Sequence, residues 1–350
     1  MRIAYVCLWD LAAQDGVAGK ILMQARLWRE LGHDVVVFWM TPRPGDVEGV
    51  QPFVFGSVRQ RLSASVGAAR AARAFRPDVV YLRYDVHLPP IWALVRAEPT
   101  VVEVNSDTGD AMRNVWKNDV VRRYNRVNRA LLVGAARGVV AVSRELAGSS
   151  GRPAVVVSNG IDLSAIEPLP APSNERPRAL FLGSPRQPWH GVDKLLRLAA
   201  DMPEVDVDVV GYAHGDRALA GVVPPANVVL HGYLPHDRYL PIARRADFAL
   251  GSLALHRAGL DEGAPLKVRE YVALGLPVIL AYADSDLAGV EAPWLLRLPN
   301  SEDNLAAGRD AVRAFAFAAR GRRVPRSAVA PLVDAREKER RRLSFMDDVR

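Results

Sequence analysis

One cysteine occurs in 350 residues, Cys7, so the chain can form no internal disulfide. Its place inside the first apolar run fits a core residue of a protein in a reducing compartment. No stretch of some twenty apolar residues appears, which excludes a membrane-spanning helix. The N-terminus MRIAYVCLWD lacks the charged start, apolar segment and cleavage site of a secretory leader. A cytoplasmic protein is expected. The seven histidines show no metal-ligand spacing, so no metal and no separate cofactor are expected. Asp206-Val207-Asp208 has the form of a metal-binding D-x-D but sits in an alternating strand pattern. Aromatics are not interleaved with basic residues, and neither zinc-finger nor helix-turn-helix spacing occurs, so nucleic acid is not an expected partner.

Acid is scarce where base is dense. From Ser57 to Arg76 five arginines stand with no carboxylate, and from Arg113 to Arg137 seven basic residues face Asp119 alone, within a net charge of +7. Such a bias fits either an anionic partner, a phosphorylated ligand or an acidic membrane surface met peripherally at the inner face, or simply solvated helix faces.

What is abundant is alternation. RIAYVCL, DVVVFWM, DVVYLR, TVVEVN, GVVAVS and AVVVSN read as buried strands, with helical patterns at 19–31, 58–75 and 120–137 between several of them. This is the pattern of βαβ units around a parallel sheet. EPLPAPSNERPR, with four prolines and little apolar periodicity, reads as a linker. Strand patterns then resume at ALFLGS, VDVDVVG, NVVLHG, DFALGS and LPVILA. The expected organisation is α/β, with a Rossmann-like domain at 1–165, a linker at 166–178 and a second Rossmann-like domain at 179–330. A helical tail at 331–350 would pack back on the first domain. Two such sheets in tandem would face a cleft at their carboxyl ends.

Within the second domain, LDEGAPLKVREYVALGLPVI begins a helix that has no Ser, Thr, Asp or Asn to cap it. If Gly263, Ala264 and Pro265 bring the chain close to a ligand, the free N–H groups of the first turn are a ready anion site; the alternative is an exposed helix entry whose N–H groups are solvated, with Glu262 and Glu270 as surface acids. Lys267 adds a positive charge where the helix dipole disfavours one, a cost that a bound phosphate would remove. Glu262 stands before the helix and Glu270 within it, placed to meet hydroxyls on either side of such a phosphate. FLGSPRQPWHGVDKLLRLA is another strand, glycine turn and helix, with Arg186 and His190 at the turn.

These segments together resemble the GT-B glycosyltransferases of the retaining kind, in particular family 4 (glycosyl transferases group 1). The family's paired glutamates with seven residues between them match Glu262 and Glu270. VSNGIDLSAIEP matches its N-G-[IV]-D interdomain segment, and VVAVSREL and RLWRELGHDVVVF match its first-domain blocks. The resemblance implies a metal-independent hexosyltransferase using a nucleotide diphosphate-sugar, UDP favoured by family frequency. By the same resemblance Glu270 would bind the ribose, while Glu262 with the backbone of Gly263, Ala264, Pro265 and Leu266 would contact sugar and phosphate. Arg186, His190 and Lys267 would hold the diphosphate, with Glu262, Arg186 and Lys267 as the catalytic set. His190 stands where many relatives carry lysine before glycine. The base would lie near Gly232 and Tyr233. In the first domain Gly16 and Gly19 permit close approach to a ligand or form a simple turn. Asn105, with Glu103 and Asp107 nearby, stands near the point where many relatives carry a histidine. The acceptor is a glycan, lipid-linked sugar or small metabolite. A nucleotide-sugar 2-epimerase on the same scaffold, and a non-catalytic glycan- or membrane-binding protein, are the alternatives.

Overall fold

A computed structural model describes Met1 to Arg350 apart from Gln14, residues 106–118, Ser149, Arg186 and Ala220. It divides into two compact units, Met1–Ser158 with Ala335–Arg350, and Asn159–Asp334. Among the described residues no helix is long and apolar enough to cross a membrane.

The first unit runs β1 (Arg2–Leu8), α1 (Gly16–Glu30), β2 (Asp34–Thr41), β3 (Val50–Val54), α2 (Val58–Ala74), β4 (Val79–Arg83), α3 (Pro89–Ala97), β5 (Thr100–Val104), α4 (Asp119–Ala135), β6 (Gly138–Ala141), α5 (Arg144–Gly148) and β7 (Ala154–Val156). Its seven strands are parallel in the order β3-β2-β1-β4-β5-β6-β7. Both faces of a parallel sheet are covered by helices, which is why the strands are continuous apolar runs rather than alternating ones. One face packs on α2, α3 and α4 through Ala68, Leu94 and Leu132. The other holds Tyr5, Trp28 and Tyr81 in mutual ring contact. Cys7 is buried there.

The second unit contains β8 (Arg178–Leu182), α6 (Val192–Asp201), β9 (Asp206–Val210), β10 (Val228–Leu230), α7 (His236–Arg245), β11 (Phe248–Leu250), β12 (Glu262–Gly263), α8 (Leu266–Ala273), β13 (Val278–Leu280), β14 (Ala283–Asp284), β15 (Leu295–Arg297), α9 (Asn304–Ala307), α10 (Arg309–Ala319) and α11 (Arg326–Val333). Its main sheet is parallel in the order β10-β9-β8-β11-β13-β15. Ahead of β8, Ile161, Leu163, Ile166 and Leu169 pack on this unit's core, and the Leu169 N–H donates to Leu274 O at 3.0 Å.

The last helix, α12 (Ala335–Val349), belongs to the first unit and closes a buried ionic network there. Glu103 accepts from Lys20 at 2.8 Å and Arg83 at 3.2 Å, with Arg342 of α12 at 3.7 Å. Burial alone would raise the Glu103 pKa, but the three cations outweigh it and hold it well below the usual range. Burial brings Lys20 down to about 8 against the opposing pull of Glu103. Glu339 accepts from Trp28 Nε1 at 2.8 Å and pairs with Arg342.

Candidate functional site

In both sheets the strand order reverses beside the first strand, and crevices for ligands form at the carboxyl ends there. In the second unit that point lies between β8 and β11. Gly183, Gly211 and Gly251 each follow a strand at this end. Gly211 has φ +99°, and a Cβ on it would lie 2.0 Å from the Gly183 carbonyl oxygen, so only glycine lets the ends of β8 and β9 approach this closely.

The loop after β8 is bonded from several sides. The Ser184 N–H donates to His190 Nδ1 at 2.9 Å, and Tyr212 Oη donates to Ser184 O at 2.8 Å. His190 Nδ1 is therefore an acceptor, and its ring proton sits on Nε2. Burial, and then the charge of Lys267, push the His190 pKa well below the ordinary value. Leu253 and Ala254, after β11, donate backbone N–H bonds to His190 O and Trp189 O at 3.1 Å. Gly191 opens α6 with φ +71°, and a Cβ there would meet Leu253 Cβ at 3.0 Å.

The helix in question, α8, begins at Leu266 with Pro265 as N-cap and no side-chain cap. Pro265 (φ −62°, ψ 136°) thus lies just outside the helix. Its fixed φ suits either place, but its extended ψ follows from the β-pairing immediately before it. Glu262 and Gly263 pair with Ala283 and Asp284 as a short parallel ladder. Lys267 turns toward β8: its ammonium donates to Leu182 O at 2.9 Å and lies 4.8 Å from the Phe181 ring centre. Burial lowers its pKa to about 7. Glu270, one turn on, accepts from Tyr239 Oη of α7, and His236 Nε2 lies 3.1 Å from the same carboxylate oxygen. That hydrogen bond raises the His236 pKa, and burial with the nearby Glu270 charge raises that of Tyr239.

The structure therefore gathers His190, Lys267 and the start of α8 around the end of β8, with Glu262, Gly263 and Ala264 leading in and Glu270 turned toward α7. Gly232 (φ +68°) binds the turn after β9, donating to Tyr212 O at 2.8 Å and accepting from Gly211 N at 2.7 Å. Tyr233 beside it is 74% exposed. Arg186 and Asp107 lie outside the described residues. Gly16 is the first residue of α1, where Asp15 Oδ1 accepts from Val17 N at 3.0 Å and Ala18 N at 2.9 Å. Those first-turn donors are already satisfied. Asn105 Oδ1, in the first unit, accepts from Lys20 at 2.8 Å. Asp206 and Asp208 are ion-paired to Arg178 at 3.1 and 3.0 Å, and His231 lies 2.7 Å from Asp208.

Three participants escape the sequence reading. His236 and Tyr239 sit one turn apart at the start of α7, a spacing that places both on one helix face. Arg269 is fully buried between Asn159, Asp284 and Asp286. Its only sequence signal is a charge among the apolar neighbours of α8.

Residues 15–165 match the model of Glycosyltransferase Family 4. The chain's fold is shared with solved glycosyltransferases over nearly its whole length. Sucrose-phosphate synthase from Thermosynechococcus elongatus superposes with TM-score 0.73 at 16% identity, covering 99% of each chain. The lipopolysaccharide outer core galactosyltransferase WaaB, in its apo form, gives 0.68 at 11%, covering 99% of this chain and 100% of that one. An α-glucosyltransferase in complex with UDP and a 13-mer DNA gives 0.66 at 11%, with the same coverage. No curated protein sequence matches significantly.

Proposed function

We propose that this chain, whose residues 15–165 match the family 4 model and whose fold is that of solved GT-B glycosyltransferases, is itself a glycosyltransferase that moves a sugar from a nucleotide diphosphate-sugar to an acceptor hydroxyl with retention at the anomeric carbon. UDP is the favoured nucleotide, in keeping with the UDP bound by a structural neighbour. The observation that carries this reading is the uncapped start of α8 beside the inward-turned Lys267, at the end of β8.

In this scheme the diphosphate lies at the first turn of α8, where free N–H groups and the helix dipole favour negative charge. Lys267 gains a proton as the phosphate arrives and neutralises the charge that grows on the leaving group. Arg186 and the His190 turn take the other side of the diphosphate. Glu270, oriented by Tyr239 and His236, accepts from the ribose hydroxyls. Glu262 and the backbone of Gly263 to Leu266 hold the sugar, and the turn at Gly232 and Tyr233 meets the base. As the bond from the anomeric carbon to the phosphate oxygen breaks, the acceptor oxygen bonds to the same face and passes its proton to a diphosphate oxygen. The enzyme's contribution is positioning and charge stabilisation, for which these residues suffice without a metal.

The arginines of α2 add a proposed peripheral contact with anionic membrane. They accompany exposed Val58 and Leu62, and co-sedimentation with anionic vesicles that disappears at high salt is the expected behaviour. The central test is a panel of nucleotide-sugars without acceptor, followed by calorimetry and by mass spectrometry of slow hydrolysis. One donor is expected to bind and release its nucleoside diphosphate. A panel in which none binds, with or without candidate acceptors, overturns the reading.

A further inference from the structure

Glu262 to Pro265 would have to be held accurately to act on a sugar, yet β12 is only two residues long and α8 lacks a cap. Two residues outside the segment hold it. Asn159 Nδ2 donates to the Ala264 carbonyl at 2.7 Å. Arg269 Nε donates to the Asn159 carbonyl at 3.0 Å, fixing the backbone that carries this side chain. The other arms of the same guanidinium engage Asp284, at 2.9 Å through one pair of atoms, and Asp286. Asp284 belongs to β14, which flanks the segment on its other side: Ala283 N donates to Asp261 O at 3.0 Å and Ser285 N to Gly263 O at 3.1 Å. A single buried arginine thus ties together both supports of the segment. A bidentate guanidinium–carboxylate pair suits this task because its planar fork fixes direction as well as distance. Asn159 is also the first residue of the second unit, so one side chain links the point where the chain enters this unit to the start of α8.

We infer that Asn159 and Arg269 are positioning residues for transfer, setting the place of Glu262 to Pro265 without touching the substrate. The inference rests on the donor reading above for its catalytic consequence, and on the hydrogen bonds alone for its structural one. Glu270 reaches its partners on α7 independently of Asn159. Loss of the Asn159 bond therefore shifts the sugar contacts while leaving the nucleoside contact, and the diphosphate at the first turn of α8, in place.

The test compares wild type with Asn159→Ala and Asn159→Asp, the latter setting a carboxylate against the Ala264 carbonyl. Backbone hydrogen exchange at Ala283 and Ser285 is expected to accelerate about tenfold or more in both variants, with the strands β8, β9 and β11 unchanged. Donor hydrolysis is expected to fall about tenfold in kcat for Asn159→Ala and further for Asn159→Asp. The dissociation constant for UDP alone should stay within about twofold of wild type. Unchanged exchange at Ala283 and Ser285 overturns the positioning role whatever the activity. Exchange that accelerates while hydrolysis keeps pace with wild type, or losses of hydrolysis and UDP binding in equal measure, overturns its catalytic consequence. If wild type itself binds no donor, the donor reading fails and the exchange result alone decides whether Asn159 holds the segment.

Discussion

The helices α1 and α8 follow similar local sequences, a loop rich in small residues leading into an apolar helix, but they meet their first-turn donors in opposite ways. Asp15 supplies α1 with a carboxylate that accepts from Val17 and Ala18 and from the Trp9 indole at 3.0 Å. The start of α8 receives no side-chain cap and has a lysine in its first turn. A carboxylate cap adds stability and repels anions, whereas an uncapped start sacrifices some stability and attracts them. The first unit's helix start is therefore finished within the chain, whereas the second unit's has no side-chain cap and is the one proposed to receive a ligand. Both units share the same order over six parallel strands, to which the first adds a seventh at its edge, so the difference lies in the cap residue and not in the strand order.

Giving α8 the cap of α1 should break the contrast most strongly. In Pro265→Asp the new carboxylate occupies the first-turn N–H groups and stands where the diphosphate is proposed to lie. Donor binding is expected to weaken by roughly a hundredfold, since opposed like charges cost several kcal/mol, while the melting temperature holds or rises. Calorimetric titration beside a thermal melt reads both. Unimpaired donor binding would remove the helix start from the site.

Lys267→Ala comes next. Loss of a preorganised positive group at a leaving diphosphate is expected to lower turnover by about a hundredfold, with a smaller change in KM. The same lysine supplies a pH signature. Burial lowers its pKa in the folded chain to about 7, from 10.5 in the reference state. Between those values the unfolded chain holds a proton that the folded chain lacks, so this group makes stability rise with pH across that window and level off on either side. Lys20, lowered to about 8, contributes with the same sign over a narrower range. Subtracting the pH–melting curve of Lys267→Met from that of wild type isolates the Lys267 part. A phosphate beside the ammonium raises its pKa again, so donor binding near pH 8 should take up a proton. Calorimetry in buffers of different ionisation heat detects that uptake, which should vanish in Lys267→Met.

The sheets were legible because a parallel strand buried on both faces must be apolar throughout, as in RIAYVCL and DVVVFWM. The strand β3 was not: Pro52 interrupts it and most of its side chains are exposed at the sheet edge. The two-residue pairing of β12 with β14 is too short for any periodicity to reveal. In the site, the missing cap on α8 and the paired glutamates could be read locally. The inward turn of Lys267 could not, because its acceptor, Leu182 O, lies 85 residues away. The Arg269 network has the same character, joining Asn159, Asp284 and Asp286 across three segments.

Glu270→Ala should weaken binding of UDP by about tenfold through loss of charge-assisted bonds to the ribose. The smallest effect sharpens the comparison from the other side. Asp15→Ala removes a cap worth about 1 kcal/mol, so the first unit should melt a few degrees lower or at correspondingly lower denaturant. Because α1 uses its cap for its own stability, donor affinity should not change. A gain in affinity for UDP or phosphate on removing Asp15 would mean that the capped helix start is an anion site held shut by its own carboxylate. The contrast between the two units would then be one of occupancy and not of design. An unchanged dissociation constant beside a lower melting point would establish that the two starts have separate purposes, one completing a domain and the other receiving a charge.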